Sequence, residues 1–203
     1  MPDIPQTVPA PLKVESPATW TVTGRQVRFD APTVESIVPH DIAYQLNRAA
    51  RWVGATTRPW SVLDHTLYCD EIGCEFYHAS DQLRRYVLLH DAHEAYTGDI
   101  PMGLKKLIPE IKGVQARLDA AIRTLFGLGK MSDGTLWFVH RIDKMALQGE
   151  AKAFLAPGIY EAMIPLYGEA PRTLPQIRGR GVAIAEFKAR CYEVGLRIVG
   201  EDE

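Results

Sequence analysis

The chain has 203 residues, with 23 Lys and Arg against 25 Asp and Glu, so its formal net charge of -2 draws it to no nucleic acid or other polyanion. Its 46% apolar and 24% charged content excludes global disorder, and a domain of this length can bury a core without disulfides or a structural metal. No run approaches the ~20 apolar residues of a membrane span, no signal-peptide pattern opens the chain, and Cys69, Cys74 and Cys191 form no secreted disulfide framework; a reducing, cytoplasmic setting is expected.

Residues 1–18 hold five prolines and read as an extended N-terminal arm, with residues 19–203 as a single domain. TWTVTGRQVRFD, with Val and aromatic residues flanking Thr23-Gly24, predicts a β-hairpin. From Pro39 the pattern turns helical, with Ile42, Leu46 and Ala50 on one face and His40 or Asp41 near the start. Ser61 followed by Asp64 is a capping-box pattern that should open a helix through about Tyr77. Ser80 or Asp81 opens the next, which runs through HDAHEAY to Gly98, and GDIP reads as a turn. Val114, Leu118, Ile122 and Leu125 form a helical stripe closed by Gly127, and a further helix is predicted over 134–155. A Pro- and Gly-rich stretch from Pro157 to Gly181 precedes a last amphipathic helix from Val182 to about Val199. The expected fold is all-α, a compact helical bundle with a small N-terminal hairpin.

The chemical signal is LLHDAHEAYTGDIP. Adjacent His90 and Asp91 point about 100° apart on a helix, so both reach one ion only if it lies beside the helix between them. Imidazole with carboxylate suits Mn, Fe, Co, Ni or Zn better than Ca or Mg. Two ligands leave the shell incomplete. His65 in SVLDHT and Asp143 in HRIDKMAL each sit among apolar neighbours on a predicted helix, where a polar ligand can face inward. A lone His-Asp pair is more often a satisfied half-buried pair than a metal site; the ordered set His, His-Asp, Asp is more specific. His65, Cys69, Cys74 and His78 recur along one predicted helix, but one straight helix cannot wrap four ligands tetrahedrally around zinc. His93 reads as a supporting or surface residue, and Glu150, two turns after Asp143, as a support for the site or the end of a salt-bridged helix.

This set is the pattern of the HD superfamily of phosphohydrolases. The segment from about Gly24 to Glu150 resembles its bacterial 5'-deoxynucleotidases and phage dATP triphosphohydrolases. His90, Asp91, Glu94, Gly98, Asp99, Ile100, Pro101 and Lys105 match the signature, Arg51 matches an upstream arginine, and DIAYQLNRAARW with SVLDH resembles the phage-type branch. The resemblance implies an HD-domain helical bundle in which His65, His90, Asp91 and Asp143 hold a divalent Co, Mn, Zn, Fe or Ni ion, with an additional Mg as a further candidate. It implies Glu94 and Asp91 as the catalytic pair, Glu94 handling the proton of the attacking water or the leaving oxygen. Arg51 and Lys105 become candidates for phosphate contacts and Trp52 for packing against a deoxyribose, against the plainer reading of a core tryptophan. Asp99 either holds the turn or touches substrate.

The implied activity is hydrolysis of deoxynucleotide phosphates, favoured as dATP to deoxyadenosine plus triphosphate. The alternatives are a 5'-deoxynucleotidase acting on monophosphates and, in another class, a non-catalytic metal-containing nucleotide sensor. A signalling hydrolase of another HD class is disfavoured, because no GYP extension follows the HD motif. The expected partner is a small deoxynucleotide, with no nucleic acid or membrane and with homo-oligomerisation by analogy; a phage-encoded member would work in host cytoplasm.

Overall fold

The computed structural model describes residues 17–198. The expected arm lies almost wholly outside them, and Ala18 already begins a strand. β1 (Ala18–Trp20) pairs antiparallel with β2 (Gln26–Arg28), Thr19 opposite Val27, and Gly24 closes the connection at φ +80, a conformation that glycine adopts without a Cβ penalty. The hairpin is tied to α1 (Pro39–Leu46), whose Asp41 accepts from the Thr23 hydroxyl at 2.7 Å.

α1 ends four residues before Ala50, which instead bridges to Ser61. Two backbone bonds enforce this: Arg51 N–H donates to Trp60 at 3.0 Å and Val62 N–H to Ala49 at 2.9 Å. The helical stripe therefore stops at Leu46, and a short 3-10 segment, Arg51–Gly54, follows the bridge.

α2 (Val62–Tyr77) starts at the predicted capping box: Ser61 accepts from the Asp64 amide, and Asp64 accepts from the Ser61 amide. It is buried nearly all round and packs on α3 (Asp81–Leu89), on α7 (Asp133–Phe154) and on α9 (Arg180–Glu193). Polar residues on such a helix need partners. Thr66 bonds the Val62 carbonyl, and Asp70 receives two bonds from Arg84 and one from Arg190.

The helix expected to run through HDAHEAY is broken. α3 stops at Leu89, a turn carries residues 90–93, and α4 (Glu94–Thr97) follows. The cause is local: the Val87 carbonyl is taken by both the His90 amide and the His90 ring, and the next bonds run three residues back rather than four. α5 (Met102–Leu107) and α6 (Glu110–Leu125) come next; Leu118 and Ile122 of the expected stripe are buried.

The Pro- and Gly-rich stretch contains a helix that the sequence reading left out, α8 (Ile159–Tyr167). Its breakers are placed where a helix tolerates them: Gly158 and Gly168 flank it at positive φ, and Pro165 sits in the last turn. α9 begins two residues earlier than expected and ends sooner, because Gly195 at φ +78 lets Leu196 N–H reach Cys191 and Gly195 N–H reach Tyr192, a left-handed cap. The architecture is helical with one small antiparallel sheet. Among the described residues no helix is long and apolar enough to cross a membrane.

Candidate metal centre

Three places in the fold bring the expected ligands together. His65 lies one turn into α2, His90 and Asp91 occupy the turn after α3, and Asp143 lies midway along α7. His90 and Asp91 were expected on one continuous helix and come from the broken turn instead. That break lets adjacent side chains converge: His90 Nε2 is 3.2 Å from Asp91 Oδ2. His65 Nε2 is 3.3 Å from His90 Nε2, 3.5 Å from Asp91 Oδ2 and 3.3 Å from Asp143 Oδ1.

Hydrogen bonds on the far sides of the rings fix what converges. His65 Nδ1 faces the Glu150 carboxylate at 2.5 Å, and His90 Nδ1 faces the Val87 carbonyl at 2.7 Å. Both partners only accept, so each Nδ1 donates to its partner and each ring turns its Nε2 to the centre, bare once a cation is bound there. Two bare nitrogens and two carboxylates around one point are mutually repulsive without a cation. Their separations also fit one. Bonds of about 2.0–2.1 Å to a tetrahedral ion place donors ~3.3 Å apart. His65 lies 3.3–3.5 Å from the other three and His90 3.2 Å from Asp91, while His65, Cys69, His90 and Asp143 form one group of donor atoms within 4.8 Å of one another and Asp91, His93 and Glu94 a second.

Without a cation, protons take its place. Burial and Arg51 disfavour charge on His65, and burial disfavours it on His90, yet the neighbouring acidic groups hold both rings well above the usual histidine range. Burial opposes charge on Asp91 too, but His90, His65 and Arg51 hold its carboxyl well below the usual range.

Around the ligands stand the other expected residues. Glu94 is buried, and one carboxylate oxygen has no protein partner while the other receives Lys105 Nζ at 3.3 Å. Burial, Asp91 and Asp99 push it up to about 8, against Lys105 and Arg51. Arg51 is buried and its guanidinium lies 3.3 Å from Glu150, 3.8 Å from Asp91 and 3.9 Å from Asp99. Lys106 is exposed, and Lys105 half-buried against Glu94.

Trp52 is half-buried, and its indole N–H donates to Glu150 at 2.9 Å while its backbone N–H donates to Asp99 at 3.0 Å. Asp99 thus holds the Arg51–Gly54 segment. Trp52 and Val53 adopt φ of 56° and 54°, a left-handed pair that includes a β-branched residue. Such a conformation costs about 1–2 kcal/mol per residue, and persists only where surrounding bonds enforce it.

Sequence reasoning left three features of the site open. Glu150 is fully buried, and Arg51 and His65 outweigh burial to push its carboxyl down to about 2. His93 is buried with Nδ1 2.9 Å from Asp119, a partner 26 residues away that no local motif announces. Cys69, dismissed with the zinc reading of α2, is fully buried one turn after His65 with Sγ 3.5 Å from its Nε2. Cys74 is exposed, and His78 caps the far end of the helix.

No protein-family model matches the chain. Over 108 residues, 53% of its length, it is 33% identical to the uncharacterized protein YfdR of Escherichia coli K12, covering 57% of that protein. A 116-residue match at 36% identity to an uncharacterized protein of Rhodobacter capsulatus covers the same shares, 53% and 57%. The chain thus spans a little over half the length of these curated relatives. Among solved structures, the cyanophage S-2L HD phosphohydrolase DatZ, bound to dA and one catalytic Zn2+ ion, aligns over 77% of this chain and 86% of that one, at 17% identity and a TM-score of 0.46.

Proposed function

We propose that the chain is a divalent-metal-dependent phosphohydrolase of the HD type acting on deoxynucleotide phosphates, with dATP as the favoured substrate. One observation carries the reading: His65 Nε2 lies 3.3–3.5 Å from His90, Asp91 and Asp143, beside a buried Glu94 with one carboxylate oxygen unpartnered among the described residues. His65, His90, Asp91 and Asp143 would hold the ion, and the donor set suits Mn, Fe, Co, Ni or Zn. Such an ion polarises a phosphoryl oxygen and lowers the pKa of bound water.

The chain's own residues supply the rest. Arg51 and Lys105 carry the positive charge beside the site, and a guanidinium offers phosphate two parallel bonds. Glu94 is poised to move one proton, taking it from the attacking water or giving it to the departing oxygen. A carboxyl near 8 in the metal-free protein falls when a cation arrives, towards the working pH where proton transfer is most efficient. In hydrolysis the water oxygen bonds to phosphorus as the phosphorus–oxygen bond to the leaving group breaks. For dATP that group is the 5'-oxygen of deoxyadenosine, which takes up a proton as it departs, while the water oxygen stays on the released triphosphate.

A 5'-deoxynucleotidase would use the same residues on a monophosphate, and the aromatic Trp52 after Arg51 favours it as the second reading. Chromatography of products from metal-loaded protein separates the two. Deoxyadenosine plus inorganic triphosphate from dATP, absent with Asp91→Ala, supports the first. Orthophosphate from deoxynucleoside monophosphates alone supports the second. No turnover of any nucleotide with any of these metals contradicts both and leaves a binding role.

A further inference from the structure

Glu150 stands two turns after Asp143 on α7, with no solvent exposure, and its two oxygens serve different parts of the site. Oε1 accepts from His65 Nδ1 at 2.5 Å. Oε2 accepts from the Trp52 indole at 2.9 Å and from Arg51 at 3.3 Å. One carboxylate therefore fixes the far side of an imidazole that faces the metal cluster and also anchors the two side chains of the strained Arg51–Gly54 segment. Charge balance alone does not call for this arrangement. Arg51 already faces Asp91 at 3.8 Å and Asp99 at 3.9 Å, and an indole N–H carries no charge to neutralise. Trp52 is otherwise tied by its amide, which donates to Asp99 at 3.0 Å, and by its carbonyl, which accepts from Ala55 N–H at 2.9 Å.

We propose that Glu150 is a positioning residue that links the metal cluster to the Arg51–Trp52 segment, so that ordering either side orders the other. The inference rests on the metal-site reading above and adds to it. His65 aims its Nε2 correctly only while Glu150 holds Nδ1. Glu150 holds its own rotamer while Trp52 and Arg51 occupy its second oxygen. By linkage the effect is reciprocal: whatever the segment contributes to metal affinity, the metal contributes equally to ordering of the segment. Trp52 bonds none of the four metal donors, so any influence it has on the metal passes through Glu150, Asp99 or its neighbour Arg51.

Two substitutions separate the two ends of the carboxylate. Glu150→Gln keeps the shape but leaves one acceptor oxygen, which can serve His65 or the Trp52 side, not both. Trp52→Phe removes the indole N–H together with part of the ring, and leaves an aromatic side chain in place. Affinity for Co(II) alone is read from its visible absorbance against a competing chelator, in the wild type, both single variants and the double variant. Loss of a partner behind a ligand typically costs 10–100-fold in metal affinity, and about that fall is expected for Glu150→Gln. Trp52→Phe weakens Co(II) by at least a few-fold, and the double variant binds no more weakly than Glu150→Gln. Wild-type affinity in Trp52→Phe, or singles that multiply in the double variant, overturns the linkage while leaving the metal site intact. If Glu150→Gln does not fold by circular dichroism, Trp52→Phe decides alone. A wild-type chain that binds no Co(II) overturns this inference and the metal reading together.

Discussion

Burial, Asp91 and Asp99 push the Glu94 carboxyl up to about 8, with Lys105 and Arg51 offsetting part of that rise. The unfolded chain titrates the same group near 4.3, so the folded state holds the proton more tightly. Its contribution to stability is therefore full below about pH 4 and is lost as pH rises towards 8. Glu94→Gln keeps a neutral side chain throughout. In metal-free protein this variant should gain stability over the wild type as pH rises through that window, and the difference should flatten above it. Thermal unfolding across pH tests this; a difference independent of pH contradicts the reading of Glu94. In metal-loaded protein the same variant should lose roughly 10²- to 10⁴-fold in kcat, since it cannot move the proton. Arg51 is the other residue whose chemistry is not replaceable. Its fork spans Glu150, Asp91 and Asp99, which a single ammonium cannot do. Arg51→Lys should cost about 10- to 100-fold in kcat/KM, and near wild-type kinetics would remove Arg51 from the site.

The helices carry the site by close approach. Gly149 on α7 faces Tyr68 on α2, and a Cβ there would fall on the Tyr68 ring and hydroxyl, which donates to the Thr173 carbonyl. Because α2 holds His65 and α7 holds Asp143 and Glu150, this crossing sets the distance between ligands. Gly149→Ala should lose about 1–3 kcal/mol as overpacking forces the helices apart, measured by chemical denaturation, and should weaken metal binding as well. Unchanged stability would mean that Tyr68 yields without moving α2. The same elements show what could be read in advance. The capping box at Ser61, the stripe on α6 and the hairpin at Gly24 are local patterns, and each lies where the residues put it. The break after Leu89 was hidden because it depends on a ring bonding its own helix's carbonyl, which periodicity does not encode. The left-handed pair at Trp52 and Val53 was hidden for a tertiary reason, since bonds to Asp99 and Glu150 hold it, 47 and 98 residues away. His65, His90, Asp91 and Asp143 stood out because residue type and order mark them; Asp119 behind His93 carries no such mark.

At the scale of the described residues, the last helix closes onto the centre. α9 is fastened to α2 by ions: Arg190 reaches Asp70 at 3.3 Å and Glu71 at 2.9 Å, and Arg178 and Arg84 meet the same acidic patch. Asp70 is almost fully buried, so removing a cation leaves it short of compensation. Arg190→Ala should destabilise the fold by on the order of 3 kcal/mol, seen as a lower denaturation midpoint; a loss below about 1 kcal/mol would class the pair with exposed, screened bridges. The packing of α2, α3, α7 and α9 thereby holds His65 and Asp143 beside the turn that carries His90 and Asp91. The central question is whether a cation held by His65, His90, Asp91 and Asp143 drives hydrolysis. The direct measurement takes protein stripped with a chelator, returns Mn(II) or Co(II) in steps, and follows deoxynucleotide hydrolysis against bound metal. No turnover is expected without metal, followed by a rise that saturates with occupancy of this site and is abolished in Asp91→Ala. Turnover that persists in chelator, or that survives Asp91→Ala at full metal, would rule out a metal-driven reaction at these residues.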